Sequence, residues 1–444
     1  MRALFKSEYF LNYFYSISWQ FFEKILTLIS NMLIGILLAR YLKPEGYGAL
    51  NYAVGWMLIF LPIANFGLNR IIVRELVNDP EKEDVYLGTA LALSLGNAVL
   101  AFGLVMFLIH LVLDEDPVSK LLIFIVSTNL ILQSTNVFEP YYYAKVRLKF
   151  LSIAKIIALI LSGSTKIALI IMEMPLEYFA ITFSLETLVI ITTLFSFYRS
   201  KEGKSVSNWK FDLKVALNYL KEGWPLILAG AFSTLNLRVD QLMIKKLLGK
   251  ADTGYYSAAV KISEAYIFIG IILTETLFPA IINGKKLGQQ IYHQRIQQLY
   301  DLLVWTALFF NVSIFIFAEY LIVLPFGEAY APAVAPLRFL SFAGLFTFMA
   351  LLSHKILIVE KLQHLVTVSY LVGSIFNIVF NFLLLPVLGI SGAAISSIAT
   401  YAIVLFYYNI VFKSCRFNLI LMLNSFNIVR ISKTLIRSIR KDKH

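Results

Sequence analysis

Long apolar stretches separated by short polar segments run through most of the chain. A helix needs about 20 mostly apolar residues to span a bilayer, and twelve stretches reach that length. They lie at residues 18–40, 47–67, 87–112, 119–139, 150–172, 176–198, 223–246, 254–282, 300–324, 336–359, 363–386 and 390–413. Their apolar residues are continuous rather than alternating with polar ones, so the pattern predicts membrane helices.

Composition strengthens this prediction. Of 444 residues, 59% are hydrophobic and 15% charged, and the mean hydropathy of +0.75 exceeds that of ordinary soluble domains. The single cysteine, Cys415, excludes an intramolecular disulfide and a multi-cysteine metal site. The first stretch contains Glu23 and Lys24 and precedes eleven others, so we expect a retained helix rather than a cleaved signal peptide.

The net charge of +12 is distributed unevenly, because Lys and Arg concentrate in alternate loops. The loops after the fourth, sixth and eighth spans are basic and contain Lys145, Arg147, Lys149, Arg199, Lys201, Lys204, Lys210, Lys214, Lys285, Lys286 and Arg295. The loops between them are acidic or neutral. Basic loops stay in the cytoplasm, so both termini are predicted to be cytoplasmic.

Two basic hairpin loops break this alternation at equivalent places of an internal repeat. Residues 37–54 align with residues 243–260 at a constant offset of 206, with four identities in eighteen positions and Arg40 opposite Lys246. The chain is therefore predicted to consist of two tandem halves of six helices. An even number of helices in each half makes the repeats parallel, which is an arrangement of transporters that rock two lobes around a central substrate site.

The predicted fold class is an all-α integral membrane protein with twelve transmembrane helices in two parallel-repeat six-helix lobes around a central cavity. The predicted divisions are an N-terminal lobe (1–198), a cytoplasmic linker (199–214), a C-terminal lobe (215–413) and a basic cytoplasmic tail (414–444). From Asn427 onward, apolar residues at helical spacing among basic ones predict an amphipathic helix on the anionic membrane surface. A disordered basic tail is the alternative.

Charged residues inside the spans are the first candidate functional residues, because a charge at the bilayer centre costs about 2.5–3.5 kcal/mol. Arg238 and Asp240 interrupt an apolar run near the outer end of the seventh span. Two residues apart, they point to different faces of a helix and cannot neutralise each other. Either both face a wet cavity, or Arg238 extends to the interface and Asp240 pairs with a neighbouring helix.

The eighth span has a polar stripe that contains Lys261, Glu264 and Glu275. An ordinary pair between Lys261 and Glu264 on one helix is the alternative. Lys166 in the fifth span and Glu186 in the sixth are further candidates. Glu186 is predicted to be either a carboxylate that couples transport to H⁺ or Na⁺, or a buried structural partner of Lys166.

Amide side chains form a second group of candidates. Asn129, Gln133 and Asn136 share one face of the predicted fourth helix, and amides suit sugar hydroxyls because each has a donor and an acceptor. Asn377 and Asn381 lie one turn apart in the eleventh span, where we favour a role in holding helices together.

No catalytic constellation is found in the sequence. The Gly-Lys-Ser at residues 203–205 lacks the earlier glycine of a phosphate-binding loop. The five histidines form no HExxH zinc motif, and no G-x-S-x-G nucleophile elbow is present. We therefore expect no catalytic residue, no metal site, no cofactor and no enzymatic activity.

Three segments carry a resemblance to a known family. They are "GILLARYLKPEGYGALNYAVGWMLIFLPIANFGLNRIIVRE" at residues 35–75, residues 223–263, and "LLLPVLGISGAAISS" at residues 383–397. These segments resemble the polysaccharide-transporter branch of the multidrug/oligosaccharidyl-lipid/polysaccharide exporter superfamily, the Wzx-type O-antigen flippases. Lys43 departs from this pattern, because such sequences usually have glycine there; Asn65 replaces a residue that is often acidic.

The resemblance implies a two-lobed bundle around a V-shaped cationic cavity. It implies a substrate of undecaprenyl-pyrophosphate-linked oligosaccharide, moved from the cytoplasmic to the outer leaflet of the bacterial inner membrane, with membrane lipids as partners and contact with a polysaccharide polymerase left open. The concentration of Lys and Arg in alternate loops favours no nucleic-acid partner. Arg40 and the Arg238-x-Asp240 element match the family's motifs. The predicted cavity cations are Arg40, Arg238, Lys166, Lys246 and Lys261, and the predicted coupling or charge-partner residues are Asp240, Glu186, Glu264 and Glu275. Asp240 is expected either to orient Lys246 or to couple to an ion.

Other functions remain open at this point. An ion-driven exporter of drugs or metabolites fits the two-lobe repeat, although an excess of candidate cations argues against cationic cargo. A lipid II flippase is expected to have two more helices. A polysaccharide polymerase or ligase is expected to need a long outer loop, which the chain lacks, and a structural membrane scaffold would not need charges within its spans.

Overall fold

The computed structural model describes the backbone of residues 8–112, 115–427 and 430, and the side chains of residues 18–111, 115–427 and 430. Within these residues the secondary structure consists of helices, without a strand. The α-helices are α1 (Glu8–Asn65), α2 (Leu68–Asn78), α3 (Glu83–Phe107), α4 (Pro117–Ser134), α5 (Phe138–Ala144), α6 (Leu148–Ile171), α7 (Leu176–Ser200), α8 (Leu213–Leu247), α9 (Lys250–Leu287), α10 (Gln289–Phe326), α11 (Val334–Val359), α12 (His364–Leu388), α13 (Ile390–Val411) and α14 (Arg416–Asn424).

The predicted membrane spans are present as long apolar helices. Ten helical segments of the described chain are long and apolar enough to cross a bilayer, and the first of them, Ser18–Asn78, contains two predicted spans. The predicted seventh span is the more polar α8. Dividing the first segment and adding α8 accounts for the twelve helices predicted from the sequence, so the all-α membrane fold is confirmed.

A single non-helical residue separates the first two predicted spans. Lys43 has φ 57° and ψ 173°, so α1 consists of two helices, residues 8–42 and 44–65. Pro44 opens the second of these, a position where proline's missing N–H is not needed. Gly249, which the internal repeat aligns with Lys43, separates α8 from α9 with φ 114° and ψ −178°. The repeat predicted from the sequence therefore has the same kind of backbone turn in both halves.

The chain divides into two compact units, Met1–Arg238 and Val239–His444. The boundary lies within α8, so residues 213–238 pack with the first unit. A Cβ added to Gly223 would lie 2.5 Å from the Phe66 ring, and one added to Gly230 would lie 2.9 Å from Pro62. The C-terminal lobe predicted from the sequence begins earlier on the same helix, at residue 215.

In the first unit, α1 packs against α3, α4 and α6, and α7 packs against α4 and α6. The predicted linker is docked on this unit through main-chain and side-chain bonds. Lys210 N donates to Asp84 O at 3.1 Å, and Trp209 Nε1 donates to Tyr198 Oη at 3.1 Å. Buried Glu83 pairs with Lys145 and Lys204. Because these bonds attach it to α3 and α7, the linker is an ordered part of the unit rather than a free tether.

In the second unit, α11 packs against α9, α10 and α13, and α12 packs against α13. The start of the predicted tail continues this unit as α14. Tyr300 Oη donates to Asn418 Oδ1 at 2.7 Å, and Asn418 Nδ2 donates to Ser353 Oγ at 2.6 Å. Arg430 pairs with Asp301. Most of the amphipathic helix predicted from Asn427 onward lies outside the described residues.

Candidate functional site

Asp240 is a buried carboxylate in the second unit. It lies two turns before the end of α8 and is 4% exposed. The sequence already pointed to this residue, because a carboxylate within an apolar helix needs hydrogen bonds or a charge to offset its lost hydration.

Three neutral donors from three other helices hold this carboxylate. Tyr256 Oη of α9 donates to Asp240 Oδ2 at 2.8 Å, and Ser397 Oγ of α13 donates to the same oxygen at 2.5 Å. Asn381 Nδ2 of α12 donates to Asp240 Oδ1 at 2.6 Å. Asp240 forms no ion pair within the described chain, so the alternative in which it orients Lys246 is wrong. We call Asp240, Tyr256, Asn377, Asn381 and Ser397 the Asp240 cluster.

The two asparagines of the cluster retain unused hydrogen-bonding capacity. Asn381 Nδ2 also donates to Asn377 Oδ1 at 2.6 Å, so this nitrogen lies equally close to two oxygens. Both asparagines are fully buried. Asn381 Oδ1 and Asn377 Nδ2 have no hydrogen-bond partner within the described residues, although buried amide atoms are normally satisfied.

The cluster is chemically suited to neutralisation by a proton or a small cation. Neutral donors orient the Asp240 carboxylate but leave its full charge in an apolar surrounding, where an added positive charge is strongly favourable. Hard cations prefer oxygen ligands, and Asp240 Oδ1 and Asn377 Oδ1 point to one place, occupied by the Asn381 amide nitrogen. Rotation of that amide would add its oxygen.

The first unit contains a different polar group, in which Lys166 is buried and Glu186 is half-buried. Lys166 Nζ of α6 lies 3.6 Å from Glu186 Oε2 of α7, and Ser162 Oγ donates to the same oxygen at 3.0 Å. Lys166 is 8% exposed, and its Nζ also lies 5.3 Å from the centroid of the Phe183 ring. Glu186 thus lies within ion-pair distance of Lys166, the contact that one of the two roles expected from the sequence requires, and Lys166 is not among the exposed cations.

Comparison with known proteins identifies the family of this chain. The family model described as "Polysaccharide biosynthesis protein" matches residues 11–285, more than half of the chain. The chain belongs to the polysaccharide biosynthesis protein family. The resemblance to polysaccharide transporters seen in the sequence is thus confirmed at the level of the family.

This polysaccharide biosynthesis protein is similar along most of its length to a capsular polysaccharide biosynthesis protein. It is 24% identical over 414 residues to "Capsular polysaccharide biosynthesis protein CapF" of Staphylococcus aureus, with 88% of this chain and 97% of the relative covered. This similarity extends over both units of the chain.

Solved structures show which fold the family member has. The lipid II flippase MurJ, in an inward closed conformation, superposes with a TM-score of 0.70 at 15% identity, covering 94% of this chain and 92% of that chain. An inward-facing multidrug resistance MATE family transporter of the MOP superfamily superposes with a TM-score of 0.66 at 14% identity, covering 92% and 96%. The protein has the two-lobe helical architecture of these multi-pass membrane transporters.

The other predicted charged residues of this polysaccharide biosynthesis protein differ in exposure. Arg40 and Lys246 are exposed, as is Glu264, whereas Arg238 and Lys261 are half-buried. Glu275 pairs with Lys355, whose Nζ lies 2.7 Å from Glu275 Oε1. This ion pair between α9 and α11 assigns Glu275 a structural contact that sequence spacing did not indicate.

The three predicted sugar-contact amides do not share one helical face. α4 ends at Ser134, and Asn136 follows in a turn where it donates to Glu139 Oε2 at 3.3 Å. The prediction that Asn136 continues the face is wrong, because the main chain leaves the helix before it. Asn129 is 3% exposed and donates to Met57 Sδ at 3.6 Å, whereas Gln133 is half-buried.

Three members of the Asp240 cluster were not recognised from the sequence as its partners. Tyr256, Asn381 and Ser397 are separated from Asp240 by 16, 141 and 157 residues. Asn377 and Asn381 were recognised only as a pair one turn apart. The one available signal was that pair itself, since two amides in an apolar helix indicate a polar partner on a neighbouring helix.

Proposed function

We propose that this protein is a flippase that moves a polyprenyl-pyrophosphate-linked oligosaccharide from the cytoplasmic to the outer leaflet of a bacterial inner membrane. The observation that carries this proposal is a transporter fold in a member of a polysaccharide biosynthesis family. Such a family member would deliver repeat units of an O-antigen, capsule or exopolysaccharide to a polymerase. The capsular relative from Staphylococcus aureus supports this class of cargo.

The anionic headgroup would be held by cations. Arg40, Arg238, Lys246 and Lys261 are the proposed set, because arginine and lysine bind phosphate oxygens through charge-assisted hydrogen bonds. Lys166 is left out of this set because it is buried against Glu186. The positive-inside distribution of charge supports cytoplasmic termini, so substrate would be loaded from the side where it is made.

The Asp240 cluster is proposed to couple the transport cycle to H⁺ or Na⁺. A ligand shifts a conformational equilibrium only through different affinities for the two states. The cluster is assembled from α8, α9, α12 and α13, so a small change in the packing of these helices would change the affinity of Asp240 for a cation. Asp240 is thereby a residue at which binding and conformation are linked.

A second candidate function is supported by the likeness to a multidrug resistance transporter. An ion-driven exporter of drugs or metabolites would use the same fold and the same carboxylate. It differs in one observable respect, because its loss would leave lipid-linked oligosaccharide normally distributed and would raise sensitivity to toxic compounds. A polymerase or ligase has less support, because the similar structures are transporters.

The test measures the access of a lectin or a periplasmic enzyme to lipid-linked oligosaccharide in spheroplasts of the native host. The protein is depleted, restored, or restored as Asp240→Asn or Arg238→Gln. Asp301→Asn is the control, because Asp301 is a carboxylate of the same unit that pairs with Arg430, outside the Asp240 cluster.

We expect depletion to remove the accessible pool while the total lipid-linked pool accumulates. Asp240→Asn should restore little accessibility and Asp301→Asn should restore it fully, at equal protein levels. If the exposed pool instead rises on depletion while polymer falls, the protein acts after flipping and the proposal is wrong. If drug sensitivity changes and the exposed pool does not, the exporter function replaces it.

A further inference from the structure

The two units place different chemistry at matching positions of the repeat. In the alignment that matches Lys43 with Gly249, Asp240 falls opposite Ile34. A Cβ added to Gly163 would lie 2.7 Å from Ile34 Cδ1, so Ile34 of α1 packs against α6. In the second unit, Asp240 of α8 contacts α12 through Asn381. An apolar residue thus occupies the place of the carboxylate in the first unit.

The helices that face these positions also match. Ser162 and Lys166 lie in the second half of α6, which begins at Leu148. Asn377 and Asn381 lie at the corresponding depth of α12, which begins at His364. Both pairs have a spacing of one helical turn and therefore share one helical face. Lys166 of the first unit therefore corresponds to Asn381 of the second. Asn381 donates to a carboxylate through its amide, whereas Lys166 has an ammonium group.

Each polar group contains one carboxylate, of which Asp240 is 4% and the Glu186 side chain 31% exposed, but only one group contains a fixed cation. In the first unit the carboxylate comes from Glu186 of α7, and Lys166 and Ser162 are its partners. In the second unit Asp240 has hydroxyl and amide partners and no cation within the described chain. The ammonium of Lys166 therefore supplies in the first unit the charge that the second unit lacks.

We infer that Lys166 is a tethered cation that fills, in the first unit, the site that the second unit leaves open for a mobile cation at Asp240. This inference rests on the proposed coupling function. It assigns coupling to the second unit alone, because an ammonium attached to the chain cannot be exchanged for a cation from solution and carried across during the cycle. It also makes Glu186 a latent cation site that loss of the lysine would expose.

The experiment measures thermal unfolding of the full-length purified protein in NaCl, LiCl or KCl against choline chloride at equal ionic strength, from mildly acidic to mildly alkaline buffer. The Asp240→Asn background removes the carboxylate of the second unit, so that this unit no longer binds a cation. Lys166→Met is introduced into this background, alone and together with Glu186→Gln. A ligand that binds only the folded state raises the melting temperature, so the readout does not depend on transport.

We expect Asp240→Asn to be insensitive to the small cation. Adding Lys166→Met should lower the melting temperature in choline and create a rise of a few degrees with a small cation or with acidification. Adding Glu186→Gln should remove both effects. If the protein with Lys166→Met responds to cations and pH no more than the protein that also has Glu186→Gln, the inference is overturned.

If Lys166→Met folds poorly, a second substitution at the same residue tests the inference. Lys166→Ala would be purified with n-butylammonium chloride, whose free ammonium can enter the vacated space, and this amine should restore the melting temperature while choline does not. An absence of rescue contradicts the inference. The proposed coupling function is tested separately, by comparing the wild-type protein with Asp240→Asn. It predicts that cations and pH change the melting temperature of the wild-type protein and that Asp240→Asn abolishes this change. If the wild-type protein shows no such change, the coupling function is wrong.

Discussion

Replacing Lys43 with glycine should stabilise the protein. Lys43 has φ 57° and ψ 173°, a backbone region used almost only by glycine, in which another residue costs about 1–3 kcal/mol. Its side chain is exposed and forms no hydrogen bond or ion pair within the described residues. Glycine also loses about 0.5–1 kcal/mol more conformational entropy on folding. The net expected gain is therefore about 0.5–2 kcal/mol.

The repeat provides the reverse experiment at Gly249. A Cβ at this glycine would meet no atom within 4 Å, so Gly249→Ala tests the backbone conformation without a steric clash. Its φ of 114° predicts a loss of about 1–3 kcal/mol. Lys286→Gly is the control, because it places glycine in the last turn of α9, where a helix loses up to about 1 kcal/mol.

The assay is thermal unfolding of the purified protein in a fixed lipid or detergent, with transport measured in parallel. A change of 1 kcal/mol shifts the melting temperature by about 2–4 °C in units of this size. Lys43→Gly should raise it by about 1–8 °C and leave transport intact, whereas the other two substitutions should lower it. A lower melting temperature for Lys43→Gly would refute the argument that this residue is strained.

Three further predictions concern packing, the docked linker and the cysteine. Gly344→Ala should destabilise the second unit by several kcal/mol, because the added Cβ would lie 1.5 Å from Tyr266 Oη; the melting temperature would show this, and a tolerated alanine would contradict it. Glu83→Gln should leave the Lys204 ammonium without its carboxylate and increase proteolytic cleavage within residues 201–212; unchanged cleavage would mean that main-chain bonds alone hold the linker. Cys415 should react slowly with maleimide in folded protein and rapidly after unfolding, because it is 2% exposed and burial raises the pKa of its thiol; fast labelling of the native protein would contradict this.

Hydropathy was sufficient to predict the membrane helices, because a long apolar segment has few alternatives to crossing a bilayer. The repeat register was also readable, and the turns at Lys43 and Gly249 agree with the alignment of the two halves. The departure at Lys43 was visible as a missing family glycine. Its physical meaning, a strained backbone, required the dihedral angles.

Charge inside a span identified Asp240, Lys166 and Glu186 as residues that need partners, because burial of a charge is costly whatever the fold. The local sequence could not supply those partners beyond the nearest helix. Asn381 and Ser397 lie 141 and 157 residues from Asp240, and only the packing of α8 against other helices brings them together.

The sequence by itself thus determined that the chain is a membrane protein of two repeated halves and which buried charges require an explanation. Both follow from transfer energies that depend on a residue and its immediate neighbours along the chain. Tertiary structure alone decided that Asp240 is held by neutral donors while Glu186 is held by Lys166. That difference depends on which helix faces which, and helix packing depends on side chains far apart in the sequence.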